Sequence, residues 1–426
     1  MTFVRMRLPA ALTGLALLSA CGGQAAPPSS GPVSSATKPS AAASQAAASS
    51  APASASAKPA ASSAAAKPAA SASATGSASA AVAAPADWQA QWDKALAAGK
   101  QEGKVSVIVP PGDVYRSILD AFQKKYGITV ESLATTGQAE LVPKLTGERA
   151  AGQFNWDVVM HSSVLMYGGL KPLQALDPVR PALLLPEVLD DSKWLHGFNA
   201  GWEDKDKSIS YAFSSQVLWA AYVNRATTPE TQLSKLEQLK DPQWKGRVAL
   251  QDPRVPSAGT LMMAAWLQAK GEDSLRSFLQ ALQPVVTQDR RQLVEWVVRS
   301  QYPVGMGIAP EGLSLLSSQG VDMKDVKPLL DPDPAASAIS NGTGSIGIMA
   351  KGPHPNAAKV FANWLLSQEG QQIYAKATGY NSRRTDVPAV DKDGAVDPGK
   401  TYVDFNSEEM NPVFLKGASI AKEVLK

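Results

Sequence analysis

Residues 104–133, KVSVIVPPGDVYRSILDAFQKKYGITVESL, decide the fold class. Lys104 to Val109 is an apolar run broken only by Ser106, which suits a strand buried on both faces. Pro110, Pro111 and Gly112 then make a turn, and Asp113 caps a helix. That helix carries Val114, Ile118, Ala121 and Phe122 on one face and ends at Lys124, Lys125 and Gly127. Ile128 to Leu133 is the next strand. A strand, a helix and a strand within about thirty residues form a βαβ unit, and such units build parallel sheets with right-handed crossovers.

The pattern continues on both sides. Trp88 to Gly99 is an amphipathic helix with Trp88, Trp92, Ala95 and Leu96 at helical spacing. After the second strand, Thr135-Thr136-Gly137-Gln138 leads into a helical stretch to Ala151, in which Pro143 marks a kink or restart. Trp156 to Met160 is a third strand with the polar exit His161-Ser162-Ser163. In open parallel sheets ligands sit beyond the carboxyl ends of the strands. Tyr115, the Thr135 to Gln138 loop and the His161 to Ser163 loop all fall there.

A second α/β run begins with the apolar strand Leu218 to Asn224 and is clearest in Gln243 to Trp266, QWKGRVALQDPRVPSAGTLMMAAW. Arg247 to Leu250 reads as a strand stopped by Gln251, Asp252, Pro253 and Pro256, and Leu261 to Gln268 as a helix capped by Ser257 or Thr260. A helix start leaves backbone N–H groups unpaired, so this turn offers donors, two hydroxyls and a positive dipole end to an anionic or carbonyl-bearing guest. Helix Leu275 to Leu282 and strands Val304 to Ile308, Val326 to Leu330 and Ser345 to Met349 follow. Asn356 to Leu366, capped by Asn356, is the last well-formed helix expected. A chain that leaves one α/β lobe and returns to it gives two lobes with a ligand cleft between them.

The amino terminus has a different character. Arg5 and Arg7 precede an apolar run, Leu8 to Leu18, too short to span a bilayer, and Leu18-Ser19-Ala20-Cys21 follows. This tetrapeptide resembles the lipobox of bacterial lipoproteins, which implies lipidation at Cys21. Cys21 is the only cysteine of the 426 residues, which rules out an internal disulfide. A lone cysteine in an exported chain is explained as an anchor. Residues 22–86 are almost entirely Ala, Ser, Pro and Gly, with Lys38, Lys58 and Lys67 as the only charges, and cannot bury enough apolar surface to offset the entropy of ordering. As a flexible tether they reach on the order of 45 Å. The whole chain carries 41 basic and 38 acidic residues; without Arg5, Arg7 and the three tether lysines the balance is 36 to 38. That near-neutral domain argues against a nucleic-acid partner.

Four stretches together resemble the extracellular solute-binding proteins of bacterial ABC importers, in the branch of ferric-iron, thiamine and polyamine binders. They are the lipobox; Trp244-Lys245-Gly246-Arg247 with Asp252-Pro253 and Ser257 to Thr260; Gly352-Pro353-His354-Pro355-Asn356-Ala357-Ala358 with Leu365-Leu366-Ser367-Gln368-Glu369-Gly370-Gln371; and Gly379 with Arg383, Arg384, Asp386 and Val387. The resemblance implies an α/β, two-lobed periplasmic-binding-protein fold of type II. It also implies hinges near Leu218 to Asn224 and Lys327 to Leu330, and a ligand enclosed when the lobes close. The expected division is a signal peptide at 1–20, lipidated Cys21 and tether at 21–86, lobe 1 at 87–219 and 328–426, and lobe 2 at 220–327. The expected partners are the permease and ATPase subunits of the importer, and the membrane through the anchor.

Ferric binders of this branch typically present adjacent tyrosines, and the chain has no Tyr-Tyr pair. Its three histidines, His161, His196 and His354, lie far apart. The donor-rich Ser257 to Thr260 turn, with Arg254, Arg290 or Arg291 nearby in sequence, fits a small anionic organic solute as the expected ligand, with ferric iron held beside an anion as the alternative. Expected ligand-binding residues are Tyr115, Thr136, Gln138, Ser163, Arg254, Ser257, Thr260, Arg291 and Glu311, with arginine serving carboxylate or phosphate through its forked donors. No metal ligand, cofactor or catalytic residue is expected. Gly342 to Gly347 matches G-x-G-x-x-G but precedes a strand rather than opening a helix, and no G-x-S-x-G, H-E-x-x-H or P-loop occurs. Enzymatic activity is the least favoured reading, behind a solute sensor that signals to a membrane partner.

Overall fold

The computed structural model describes residues 84–400 and 402–426. The expected signal peptide, Cys21 and nearly all of the expected tether lie outside the described residues. The first elements are α1 (Trp88–Glu102), β1 (Lys104–Val109), α2 (Asp113–Tyr126), β2 (Thr129–Ala134), α3 (Gln138–Ala150), β3 (Val158–His161), β4 (Leu176–Asp177), α4 (Pro186–Leu189) and β5 (Tyr211–Ala212). Val105 to Val109 are all buried, as their unbroken apolar run requires. α2 starts one residue after Gly112, whose φ of 131° only glycine adopts easily, so Asp113 lies inside the first turn rather than capping it. Pro143 sits within α3 without ending it.

β6 (Gln216–Trp219) then leads to β7 (Ala221–Asn224), β8 (Val248–Gln251), α5 (Ala258–Lys270), α6 (Glu272–Leu282), β9 (Val285–Thr287), α7 (Arg290–Val298), β10 (Val304–Met306), α8 (Pro310–Ser318) and β11 (Val326–Pro328). The chain returns through β12 (Ser337–Ser340) to β13 (Ser345–Met349), α9 (Pro355–Leu366), α10 (Gln368–Thr378) and α11 (Asn411–Val424). Leu218 to Asn224 is thus two strands, not one.

Two sheets result. The first has the order β2-β1-β3-β13-β4, with β5 also on β13. β1 is parallel to β2 and β3, while the returning β13 is antiparallel to β3. The second has the order β11-β7-β10-β8-β9, with β8 parallel to β9 and β10. The crossings β6 and β12 pair antiparallel with each other, Gln216 opposite Ser340 and Trp219 opposite Ser337. Each sheet has its own core, one around Ile118, Phe122, Phe361 and Trp364, the other around Trp244, Leu261, Trp266 and Phe278.

The carboxyl terminus departs from the expected pattern. Two helices follow α9: α10 packs on α2, and α11 packs on α5 and α6. Residues 411–424, grouped with lobe 1 by the expected division, therefore rest on the second sheet's helices. Phe405, Phe414, Ile420 and Leu425 join that core. Asn356 does not cap α9, which begins at Pro355. The Glu102 carboxylate, from the end of α1, instead accepts from the N–H groups of Asn356 and Ala357, at 3.1 and 2.7 Å.

Candidate functional site

On the first lobe, the α2 start brings in Tyr115, which is buried, with its phenol 2.7 Å from Thr343 Oγ1. The Tyr374 phenol lies 3.4 Å from the same hydroxyl, and the Tyr380 ring covers Gly342, where φ is 56° and a side chain would collide with it. The glycine-rich stretch is therefore a loop entering β13, floored by tyrosines. Burial, and next the Glu311 charge, push the Tyr115 and Tyr380 phenols well above their usual range, so both are neutral donors.

His161 closes β3. Its Nδ1 accepts the Ser162 N–H at 2.8 Å, which leaves Nε2 to donate to the Thr135 carbonyl at 3.2 Å. Burial foremost, with a further push from the Arg290 charge, lowers its pKa from 6.5 to about 4. Of the expected residues on this edge, Thr136 is exposed and its hydroxyl and N–H both donate to Glu140. Gln138 donates to the Val164 carbonyl. Ser163 is fully buried, paired with Ser345 at 2.8 Å and accepting from Asn341.

On the second lobe, the turn after β8 is occupied by its own bonds. Ser257 caps α5, accepting from the Thr260 N–H at 3.2 Å and donating to the Asp252 carbonyl at 2.7 Å. The Thr260 hydroxyl donates to backbone carbonyls of the same turn, including that of Pro253 at 3.1 Å. Arg254 forks onto both Asp252 oxygens, at 2.8 and 3.1 Å. Burial opposes ionisation of Asp252, but the bonds from Arg254 and Gln288 outweigh it and hold the carboxyl below its ordinary value. Arg291 reaches Glu295 one turn along α7, on the exposed side.

Two charged groups differ from these. Arg290, at the start of α7, keeps 48% of its side chain exposed and makes one long contact, 3.5 Å from Nη1 to Glu311 Oε1. Its field nonetheless reaches Tyr115, Tyr380 and His161 of the first lobe, so the guanidinium lies near the lobe boundary. Glu311, in the first turn of α8, is only 9% exposed, and its Oε2 has no hydrogen-bond partner. The lobes touch beside it: a side chain at Gly379 would lie 3.2 Å from the Pro310 carbonyl and 3.1 Å from Ser314 Cβ. The structure thus gathers Tyr115, Glu311, Arg290, Thr343, Tyr374, Tyr380 and His161. Arg290 was marked in the sequence only as one of three arginines near the Ser257 to Thr260 turn and was not among the expected ligand-binding residues, while Tyr374 and Tyr380 carry no sequence signal.

A separate cavity of about 360 Å³ shares none of these residues and is lined by Glu203, Asn341, Arg383 and Asp404 among others. Glu203 is pushed well above the usual carboxyl range by burial and by Asp404 beside it. Among the described residues no group of three His, Cys, Asp or Glu side chains gathers as a metal set.

Comparison with known proteins agrees with the fold. Residues 104–381 match the family model of the bacterial extracellular solute-binding proteins. An uncharacterized protein of Haemophilus influenzae is 26% identical over 189 residues, 44% of this chain; the chain spans 53% of that relative's length. Among solved structures, iron-bound HitA of Pseudomonas aeruginosa superposes with a TM-score of 0.57 at 19% identity, covering 75% of this chain and 99% of its own. Apo ferric ion-binding protein A of Pasteurella haemolytica gives 0.58 at 16%, covering 76% and 98%. AfuA of Actinobacillus pleuropneumoniae, with fructose-6-phosphate bound, gives 0.55 at 18%, covering 75% and 99%. At these identities the superpositions speak for the two-lobed fold alone, and the match over residues 104–381 for descent: the chain belongs to the bacterial extracellular solute-binding protein family.

Proposed function

We propose that the chain is the solute-binding component of an ABC importer: it encloses a small organic anion between its lobes and presents it to a membrane permease, with no bond of the solute made or broken. Arg290 carries this reading. A half-exposed guanidinium with one 3.5 Å contact, facing neutral phenols and a neutral imidazole across the lobe boundary, has forked donors to spare for a carboxylate or phosphate. A guest touching Arg290 on one side and the Tyr115 and Tyr380 side on the other stabilises the closed form by contacting both lobes at once. Export and a lipid anchor at Cys21 complete the proposal, since a tethered receptor stays within reach of its permease; Cys21→Ala should release the protein from the membrane fraction.

The test is thermal unfolding of the purified chain against organic carboxylates, phosphate esters and ferric citrate. At least one anion should raise the midpoint in the wild type and not in Arg290→Gln. Midpoints equally raised in both proteins would end this reading. Ferric iron is a second reading, favoured by three phenols and a carboxylate in one cluster. It requires a visible tyrosinate-to-iron absorption that weakens in Tyr380→Phe.

A further inference from the structure

We propose that the solute carries an ammonium group beside its anionic end, an inference that rests on the cleft reading above and deepens it. The observation behind it is the unmatched half of Glu311. One carboxylate oxygen faces Arg290 Nη1 at 3.5 Å; the other is buried without a donor. A buried carboxylate oxygen is normally supplied with hydrogen bonds. No protein donor bonds it, and the Tyr115 and Tyr374 phenols meet at Thr343 instead.

Charge balance leads to the same class. The cluster holds one cation, Arg290, and one anion, Glu311; its phenols and His161 are neutral at pH 7. A purely anionic guest on Arg290 would place its charge against Glu311 in a partly desolvated site, where like charges repel strongly. A zwitterion instead completes a four-charge square. Its anionic end takes the free guanidinium donors, its ammonium donates to Glu311 Oε2, and each charge faces two of opposite sign. Because Arg290 and Glu311 stand 3.5 Å apart, the two charges of the guest must also be close, separated by a few bonds.

Isothermal titration of the purified full-length chain tests this with matched probes. β-Alanine and O-phosphoethanolamine carry both charges, propionate and ethyl phosphate lack the ammonium, and 3-hydroxypropionate has a hydroxyl in its place. A zwitterionic probe should bind at least tenfold tighter than its ammonium-free partner. Glu311→Gln, which keeps the side-chain shape, should remove that advantage, because the ammonium loses its charged acceptor and the ammonium-free probe no longer meets a like charge. Glu311→Asp should restore part of it, and Arg290→Gln should weaken both kinds of probe. Equal affinities with and without the ammonium, a hydroxylated probe matching the zwitterion, no binding of either zwitterion, or an unchanged advantage in Glu311→Gln would each overturn the inference. If propionate, ethyl phosphate or ferric citrate binds in an Arg290-dependent way without an ammonium advantage, the cleft reading survives and only this inference falls. If every bound solute is indifferent to Arg290→Gln, the cleft reading falls too.

Discussion

Residues adjacent in sequence do unlike work here because their environments differ. Arg290 and Arg291 share a helix start, yet successive residues of a helix point about 100° apart, so one lies near the lobe boundary and the other pairs with Glu295 in solvent. Arg254 is held by Asp252, two positions earlier. His161 shows how burial sets chemistry. Protonation would place a hydrogen on Nδ1 against the Ser162 N–H, beside the Arg290 charge. The folded state therefore takes up this proton only near pH 4, while the unfolded chain does so near 6.5. Between those values the unfolded form binds more protons, so stability falls as pH falls through this window, by about 3 kcal/mol in full. Urea unfolding at pH 7.5, 5.5 and 4.5 should show a steeper loss for the wild type than for His161→Gln; parallel losses would contradict the assignment.

At the scale of elements, caps decide where helices start, and their partners come from two sources. Ser257 caps α5 from its own turn, a pattern readable in the sequence. α9 is capped from outside by Glu102, which lies 254 positions from Asn356 and cannot be recognised as its partner before the fold exists. The Ser257 hydroxyl also donates to Asp252, so its bonding is taken up within the turn. Ser257→Ala should cost about 1 kcal/mol of stability while leaving solute affinity within twofold under conditions where the protein is folded. Chemical denaturation and titration on the same variant check both halves. A large affinity loss without a stability loss would return the hydroxyl to the ligand.

For the whole molecule, the carboxyl-terminal segment ties the two halves together. Glu408 receives Lys171 of the first lobe at 2.8 Å, and α11 then lies on α5 and α6 with Arg276 bonded to Glu423. Removing residues 405–426 would strip Phe405, Phe414, Ile420 and Leu425 from the second core. At roughly 1.5–3 kcal/mol for each buried large apolar side chain, that loss is comparable to the whole stability of an ordinary domain, about 5–15 kcal/mol. The truncated chain should lose its cooperative thermal transition by near-ultraviolet circular dichroism. A midpoint within a few degrees of the full chain would show that α11 is dispensable.

The sequence by itself determined the local order of the chain: the buried run of β1, the βαβ unit, the Ser257 cap, and the loops at the strand ends. Each of these depends on neighbours a few positions away, on period, turn residues and burial of a face. Only the tertiary structure decided which of those loops meet. It set Arg290 rather than Arg254 or Arg291 opposite the first lobe, brought Tyr374 and Tyr380 to the Gly342–Thr343 loop, and laid α11 on the second core. Contacts between residues hundreds of positions apart are fixed by how whole elements pack, and no pattern within one stretch encodes them.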